Sequence, residues 1–510
     1  MKAPLLAGAS TSFALIAFAA CSSTPADNPP VLDASADTAT TDAAIDAAEA
    51  GPTADEIASF QALLADAQTQ LDTSGTPGAS IAVVLHGKLA FAAGLGKKNV
   101  ASGAMVTTST LFRAASMSKM IVAATAMSLV RDGKLDVHAP ITTYLPWFAL
   151  KAPFDASTVT LEHLLTHTSG FPSDTISQCA ASTGGPRQAF FAANPQPLWA
   201  PPGAVYDYSN TGFALASVVL TAAAGFADTE YEKLAHDRVF VPAGMTTATF
   251  DAAAAMTADY ATGYALDAAN KVVATDEPSA LDCPLLHPPG GVMATASDYA
   301  HFAEALLAGG GAMLSKDGVD AMEAPHADTR GFATQSYGYG LFHQFAPYPA
   351  HASVWHDGSL PGFLSMLWMI PDSNFAVVVL VNARGRKNVA EAIIGSALGR
   401  FIPDARPGVT TKTPSASWSK YAGTYDDAFG TLGAGVNVSV GAADGGATAV
   451  TIDAPNATDF AGGAFPVHGV MQQRAIDQWS LPDGTSATFF PNDAGTTTYL
   501  ATRRGVAIKP

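Results

Sequence analysis

The sequence predicts an α+β fold, and three stretches carry that prediction. A β-hairpin signal, Ala79 to Leu85 and Lys88 to Gly94 about a His86-Gly87 turn, opens the folded part. A long helical middle follows, with the run Met120 to Val130 apolar at nearly every position. A β-meander signal then closes it: Val354 to Ser359, Phe363 to Ile370, a Pro371-Asp372-Ser373-Asn374 turn and Phe375 to Asn382. Strands at both ends of the chain and helices between them imply one antiparallel sheet built from both ends, with the central helix packed on it.

Composition bounds what this fold can do. The chain has 510 residues, of which 48% are hydrophobic and 14% charged, a globular balance with room for two to four domains. Its formal charge is −18 and no basic stripe offsets it, so nucleic acid is not an expected partner. The first residues read as an export signal: Lys2, an apolar stretch through Phe18, then small residues. That stretch is too short for a comfortable membrane span. Ala19-Ala20-Cys21 resembles a bacterial lipobox, with Phe18 where Leu is usual. Lipidation of Cys21 is the expectation, ordinary cleavage the alternative, and a lipid would tether the chain to the cell envelope. The remaining cysteines, Cys179 and Cys283, are an even pair in an oxidising compartment; they bridge or remain two buried thiols, and spacing does not decide.

In chain order, 1–21 is the signal and 22–52 an Ala/Asp/Thr/Pro tether with too little apolar surface to fold. Thr53-Ala54-Asp55-Glu56 is a capping box that opens a helix with Ile57, Phe60, Leu64 and Leu71 near one face, ended by Thr76-Pro77-Gly78. After the central helix, Leu161 to His167 (LEHLLTH) sets His163 and His167 at i, i+4, the spacing of a metal pair on a helix face. The glutamate precedes His163 rather than following it and no third ligand is signalled, so a structural role is expected and no metal or other cofactor is assigned. Thr211 to Ala224 reads as a second apolar helix with Tyr208 and Asn210 at its amino end. Pro288 to Gly291 reads as a turn, Ser297-Asp298 as the cap of a helix through Leu307, Tyr337 to Phe342 as a strand, and Asn388 to Phe401 as the closing helix. The domain thus spans 53–403. A Pro/Thr-bearing linker, 404–413, leads to 414–510, where short alternating runs broken by Gly and Asp predict a small β-barrel or sandwich without chemistry of its own.

The chemistry is expected at Ser116. Ser116 and Lys119 stand three residues apart at the start of the apolar helix, so their Cβ atoms stack about 5–6 Å apart on one face. A serine alcohol is a poor nucleophile until a base takes its proton, and burial among charges is what makes a lysine fit for that task. The spacing alone is weak, since Ser417-Trp418-Ser419-Lys420 repeats it among Pro and Thr with no apolar helix behind.

Two further sites raise it. Ser116-x-x-Lys119, Tyr208-x-Asn210 and His356-x-Gly358, in that order, resemble the three motifs of penicillin-interacting serine hydrolases: class C β-lactamases, DD-peptidases, D-aminopeptidases and related esterases. The flanks TPGASIAVVLHGKLAFAAGLG, TLFRAASMSK, LEHLLTHTSGFP, PPGAVYDYSNTGFAL, PPGGVMATASDY and HDGSLPGF match the same family over roughly residues 53–402. The tail start, Tyr421 to Tyr425, resembles lipocalin-like modules. The resemblance implies a β-lactamase/transpeptidase-like fold and an acyl-enzyme on Ser116. It gives Lys119 and Tyr208 the proton transfers, with the acylation base left open between them. It has Asn210 hold Lys119 and the substrate, and has His356 donate to the Tyr208 oxygen. Backbone N–H groups of Ser116 and Ser359, next to Gly358, would form the oxyanion hole, where one donor is worth about 3–4 kcal/mol. The implied partner is a small-molecule or peptidoglycan-related acyl substrate, an ester or a D-amino-acid amide. His356 stands where efficient β-lactamases carry lysine, so β-lactam turnover is expected to be weak. Asp357 would repel a substrate carboxylate if it faces the cleft, and alternation along a strand leaves its direction open.

Overall fold

A computed structural model describes residues 52–172, 186–266, 271–275, 282–329, 335–344, 351–385 and 388–402, and the strands between 422 and 509. The export signal and Cys21, the tether, Cys179, the linker and Ser417–Lys420 lie outside the described residues. Cys283 is disulfide-bonded.

The main sheet has eight strands: β1 (Gly78–Leu85), β2 (Lys88–Gly96), β3 (Ala327–Asp328), β4 (Gln335–Tyr337), β5 (Phe342–Gln344), β6 (Ser353–Leu360), β7 (Phe363–Ile370) and β8 (Phe375–Val381). Their order is β2-β1-β8-β7-β6-β5-β4-β3, so the first hairpin and the last meander do meet, through antiparallel pairing of β1 with β8. His86 and Gly87 both take positive φ, 54° and 76°, the backbone a two-residue hairpin requires.

Period-two alternation divides the sheet residues between two cores. Ile81, Val83, Val377 and Val379 face one side, where α1 (Ala54–Ser74) and the closing helix Val389–Phe401 cover them. Ala82, Val84, Val378 and Leu380 face a larger core with the helical region. At about 25 cal/mol per Å² of apolar area, such two-sided burial is the main favourable term in folding.

Several expectations need correction. The inward face of α1 is Phe60, Leu63, Ala67 and Leu71, with Ile57 exposed, and the helix stops at Gly75 in the left-handed region before the Thr76-Pro77 pair is reached. The central helix α2 (Ser118–Arg131) is surrounded mainly by other helices and meets the sheet through the turn at its start, while α6 (Ala296–Leu307) lies across β1, β2 and β8. The cap of α6 is Thr295, which forms a capping box with Asp298 and displaces Ser297 from that role. Pro288 to Gly291 is mostly a short helix, α5 (His287–Gly290). Tyr337 to Phe342 is a bend joining β4 and β5, because Gly340 takes φ 69° and a Cβ at Gly338 would stand 2.1 Å from the Met322 carbonyl.

The helix α3 (Leu161–Leu165) is too short to carry both histidines on one face. His163 joins its capping box with Thr160, and His167 lies beyond its end at φ 60°. The second apolar helix is α4 (Asn210–Ala224), capped by Ser209 and ended by Gly225. Among the described residues no single helix is long and apolar enough to cross a membrane; most of α4 is buried in the helical core.

The tail forms a second antiparallel sheet of eight strands in sequential order, from Gly423–Tyr425 to Gly505–Lys509. Its first and last strands lie against each other, so the meander curls toward closure.

Candidate active site

Ser116 sits in a single 3₁₀ turn, Ala115–Met117, immediately before α2. The preceding residue, Ala115, is held at φ 49°, a conformation costing a non-glycine residue about 1–2 kcal/mol. Four hydrogen bonds fix that turn. Ser118 Oγ donates to the Ala115 carbonyl (2.7 Å) and accepts from the Val292 N–H (3.0 Å). The Ala114 N–H reaches the Val292 carbonyl (2.8 Å), and Ser365 Oγ of β7 donates to the Ala114 carbonyl (2.7 Å). The strain is thereby over-determined by its surroundings, as persistent backbone outliers must be.

Lys119, one turn into α2, is fully buried. Its Nζ lies 3.2 Å from Ser116 Oγ, 2.7 Å from Asn210 Oδ1 and 2.9 Å from the Pro289 carbonyl of α5. Asn210 Oδ1 and the Pro289 carbonyl are both acceptors, so each takes one N–H. Toward Ser116 the nitrogen can present an N–H as the ammonium or a lone pair as the amine. A proton can pass between Oγ and Nζ without loss of the contacts to Asn210 and Pro289. Tyr208 enters from the segment before α4, with its ring centroid 4.6 Å from Nζ. The side chains of the first two motifs thus converge.

His356 on β6 is fully buried, and its ring centroid lies 6.3 Å from that of Tyr208. Its Nδ1 donates to the Asp357 carbonyl (2.6 Å), and its Nε2 is shared with Tyr337 Oη (3.0 Å). Tyr337 was not among the expected site residues, and a tyrosine on a short strand gives no signal of this role. Pairing of β5 with β6 ends at Trp355, so the stretch with His356, Asp357, Gly358 and Ser359 is held by β7 alone among the described strands. Gly358 faces the nucleophile turn so closely that a Cβ there would lie 2.4 Å from the Ala114 carbonyl and 2.8 Å from Ala115 Cβ. That approach brings Ser359 beside the Ser116 turn. Asp357 is nearly buried, and its carboxylate stands 4.0 Å from His356 Nδ1.

His167, expected from the sequence to be structural, is the second residue at the site that sequence reasoning did not place there. Its ring centroid is 4.2 Å from that of Tyr208, its carbonyl accepts the Asp207 N–H (2.7 Å) and its Nδ1 accepts the Ser209 N–H (2.9 Å). Burial first, then the nearby Lys119 and His356, hold its pKa well below the ordinary histidine range, so it is neutral. Among the described residues no cluster of three or more metal-ligating side chains is assembled.

A beta-lactamase family model matches residues 60–398. The chain belongs to the beta-lactamase family. This beta-lactamase-family chain is 30% identical over 373 residues to the unguisins hydrolase ungD' of Aspergillus campestris, covering 70% of this chain and 66% of that protein. It is 25% identical over 333 residues to Protein flp of Staphylococcus aureus, covering 62% of this chain and 63% of flp. The matches thus span less than two thirds of these relatives' lengths. Among solved structures, an octameric penicillin-binding protein homologue from Pyrococcus abyssi aligns with TM-score 0.60 and 22% identity over 88% of this chain and all of that one. SurE aligns with TM-score 0.65 and 22% identity over 89% of this chain and all of that one. Both show the shared fold.

Proposed function

We propose that this protein is a hydrolase whose Ser116 forms an acyl-enzyme with an ester or a D-amino-acid amide or peptide. The observation that carries the reading is the buried Lys119 nitrogen, held by Asn210 and Pro289 and 3.2 Å from Ser116 Oγ. In acylation, Oγ bonds to the substrate carbonyl carbon as its proton moves to Lys119. The tetrahedral oxyanion lies between the N–H groups of Ser116 and Ser359, and the leaving alcohol or amine takes a proton from the Lys119–Tyr208 pair. In deacylation, Tyr208, left as the phenolate by protonating the leaving group, takes a proton from the attacking water. The Lys119–Tyr208 pair returns a proton to Ser116 Oγ as the ester bond breaks, and the free acid leaves. A hydrolase among the relatives and a SurE structure solved with D-Leu are in keeping with this reading.

A preference for neutral esters or amine-bearing substrates is part of the proposal and rests on the Asp357 carboxylate, 4.0 Å from His356 Nδ1, acting on the substrate end of the cleft. Export with lipid on Cys21, a Cys179–Cys283 bridge and an auxiliary, lipocalin-like tail complete the proposal.

The test is a substrate panel of p-nitrophenyl esters, a chromogenic cephalosporin and D-alanyl amides, each run beside Ser116→Ala. Turnover of esters or amides that disappears in the variant is expected. Covalent attachment of labelled penicillin with no turnover of anything would overturn hydrolysis and make the protein a penicillin-binding sensor.

A further inference from the structure

We infer that His167 is the positioning residue for Tyr208, gripping the tyrosine by backbone on both sides and by the face of its ring. The inference rests on the proposed proton-handling role of Tyr208 and assigns what holds that phenol in place.

Three observations lead there. First, the contacts bracket one residue: the His167 carbonyl takes the N–H of Asp207, its Nδ1 takes the N–H of Ser209, and its ring lies against Tyr208 between them. Second, His167 is costly where it stands. Its φ of 60° is unfavourable for a side chain of this size, and its buried Nε2 has no hydrogen-bond partner. Glycine would relieve both costs and asparagine the first, so backbone fit does not explain the imidazole. Third, the bond from Ser209 fixes the tautomer. Nδ1 must keep its lone pair, which places the proton on Nε2, and protonating the ring would break the grip.

The groups around this pair come from every neighbouring element: Lys119 from α2, Tyr337 from β4, His356 from β6, and Tyr206 and Asp207 beside Tyr208 itself. A positive His167 would add a cation beside Lys119. The neutral ring adds none.

The test uses the full chain and two readouts. The rate at which a fluorophosphonate labels Ser116 is measured from pH 5 to 10. Ionisation of Tyr208 is followed by the tyrosinate ultraviolet difference against Tyr208→Phe. His167→Asn suits the left-handed backbone and can still accept a hydrogen bond, so it is expected to fold with an unreduced melting temperature. Its labelling at pH 7 should nevertheless fall at least tenfold, with the acid limb moved up by about one pH unit and the tyrosinate transition moved with it. Labelling within threefold of wild type and a superimposable pH profile would overturn the inference. Wild-type protein that is never labelled would refute the Ser116 reading instead, and the tyrosinate titration would still decide His167. Should His167→Asn fail to fold, ¹⁵N spectra of wild-type histidines decide: a fixed neutral Nε2–H tautomer from pH 5 to 9 is expected, and titration of His167 within that range overturns the grip.

Discussion

Replacing Gly358 with alanine tests how the site is held together. The added Cβ would stand 2.3 Å from Ser365 Oγ, 2.4 Å from the Ala114 carbonyl oxygen and 2.8 Å from Ala115 Cβ. Ser365 Oγ ends a short side chain and can swing away, but Ala114 is backbone pinned by Val292 and Ser365. To restore ordinary van der Waals separation, β6 and the nucleophile turn must part by about 1 Å. Overpacking of this kind costs about 1–3 kcal/mol of stability. The functional cost is larger in proportion, because the same displacement separates the N–H groups of Ser116 and Ser359, and a shift of about 1 Å costs ~10²-fold in rate. Gly358→Ala is therefore expected to fold, with a melting temperature a few degrees lower, and to lose about two orders of magnitude in kcat on whichever substrate the panel identifies, with KM changed little. Adding Ser365→Gly should not restore activity, since the Ala114 carbonyl remains in the way. A Gly358→Ala enzyme within threefold of wild type in kcat would refute the argument that this approach sets the oxyanion geometry.

Three further outcomes follow from the same structure. Lys119→Met removes the buried nitrogen and orphans the Asn210 and Pro289 oxygens; stability should fall by about 1–3 kcal/mol in urea melts and Ser116 labelling by at least ~10²-fold. Burial first, then Asp320, push the Glu323 carboxyl up to about 7, so its neutral form is the one the fold tolerates. Stability from this group is complete below pH 4.5 and lost as pH rises through 7; Glu323→Gln should gain about 1–2 kcal/mol at pH 8, discounted for its partial exposure, and nothing at pH 4. Burial opposes the charge on His287, yet hydrogen bonds to Asp282 and Glu232 raise its pKa overall. Its stabilisation is then whole below pH 6.5 and lost as pH rises through the higher folded value, so His287→Gln should flatten the fall in melting temperature between pH 6.5 and 9.

Much of this was legible in the chain, because the signals were local. Alternation and turn chemistry specify the β1–β2 hairpin and the β6–β7–β8 meander, since a strand that buries both faces between turn residues has few other conformations open to it. Ser116 and Lys119 are one helical turn apart, a spacing that survives any tertiary arrangement. Tyr208 and Asn210 were readable by kind and order, as was the glycine of His356-x-Gly358. Where local reading failed, an adjacent tertiary contact had taken over. Thr295 outcompeted Ser297 for the cap of α6 through its reciprocal bonds with Asp298. The backbone packed against Gly338 bent what reads as a single strand.

By itself the sequence determined which residue types were present and how far apart they stood along the chain: an alcohol and an amine one turn apart, a phenol and an amide further on, an imidazole near the end. Only the tertiary structure decided what each of them touches. It set the Pro289 carbonyl on Lys119, gave His356 to Tyr337, turned His167 out of its helix onto Tyr208, and pressed β6 against the nucleophile turn. The physical reason is that hydrogen bonding and close packing act over about 3–4 Å in space, whereas these partners lie tens to hundreds of residues apart in sequence, where no local pattern links them.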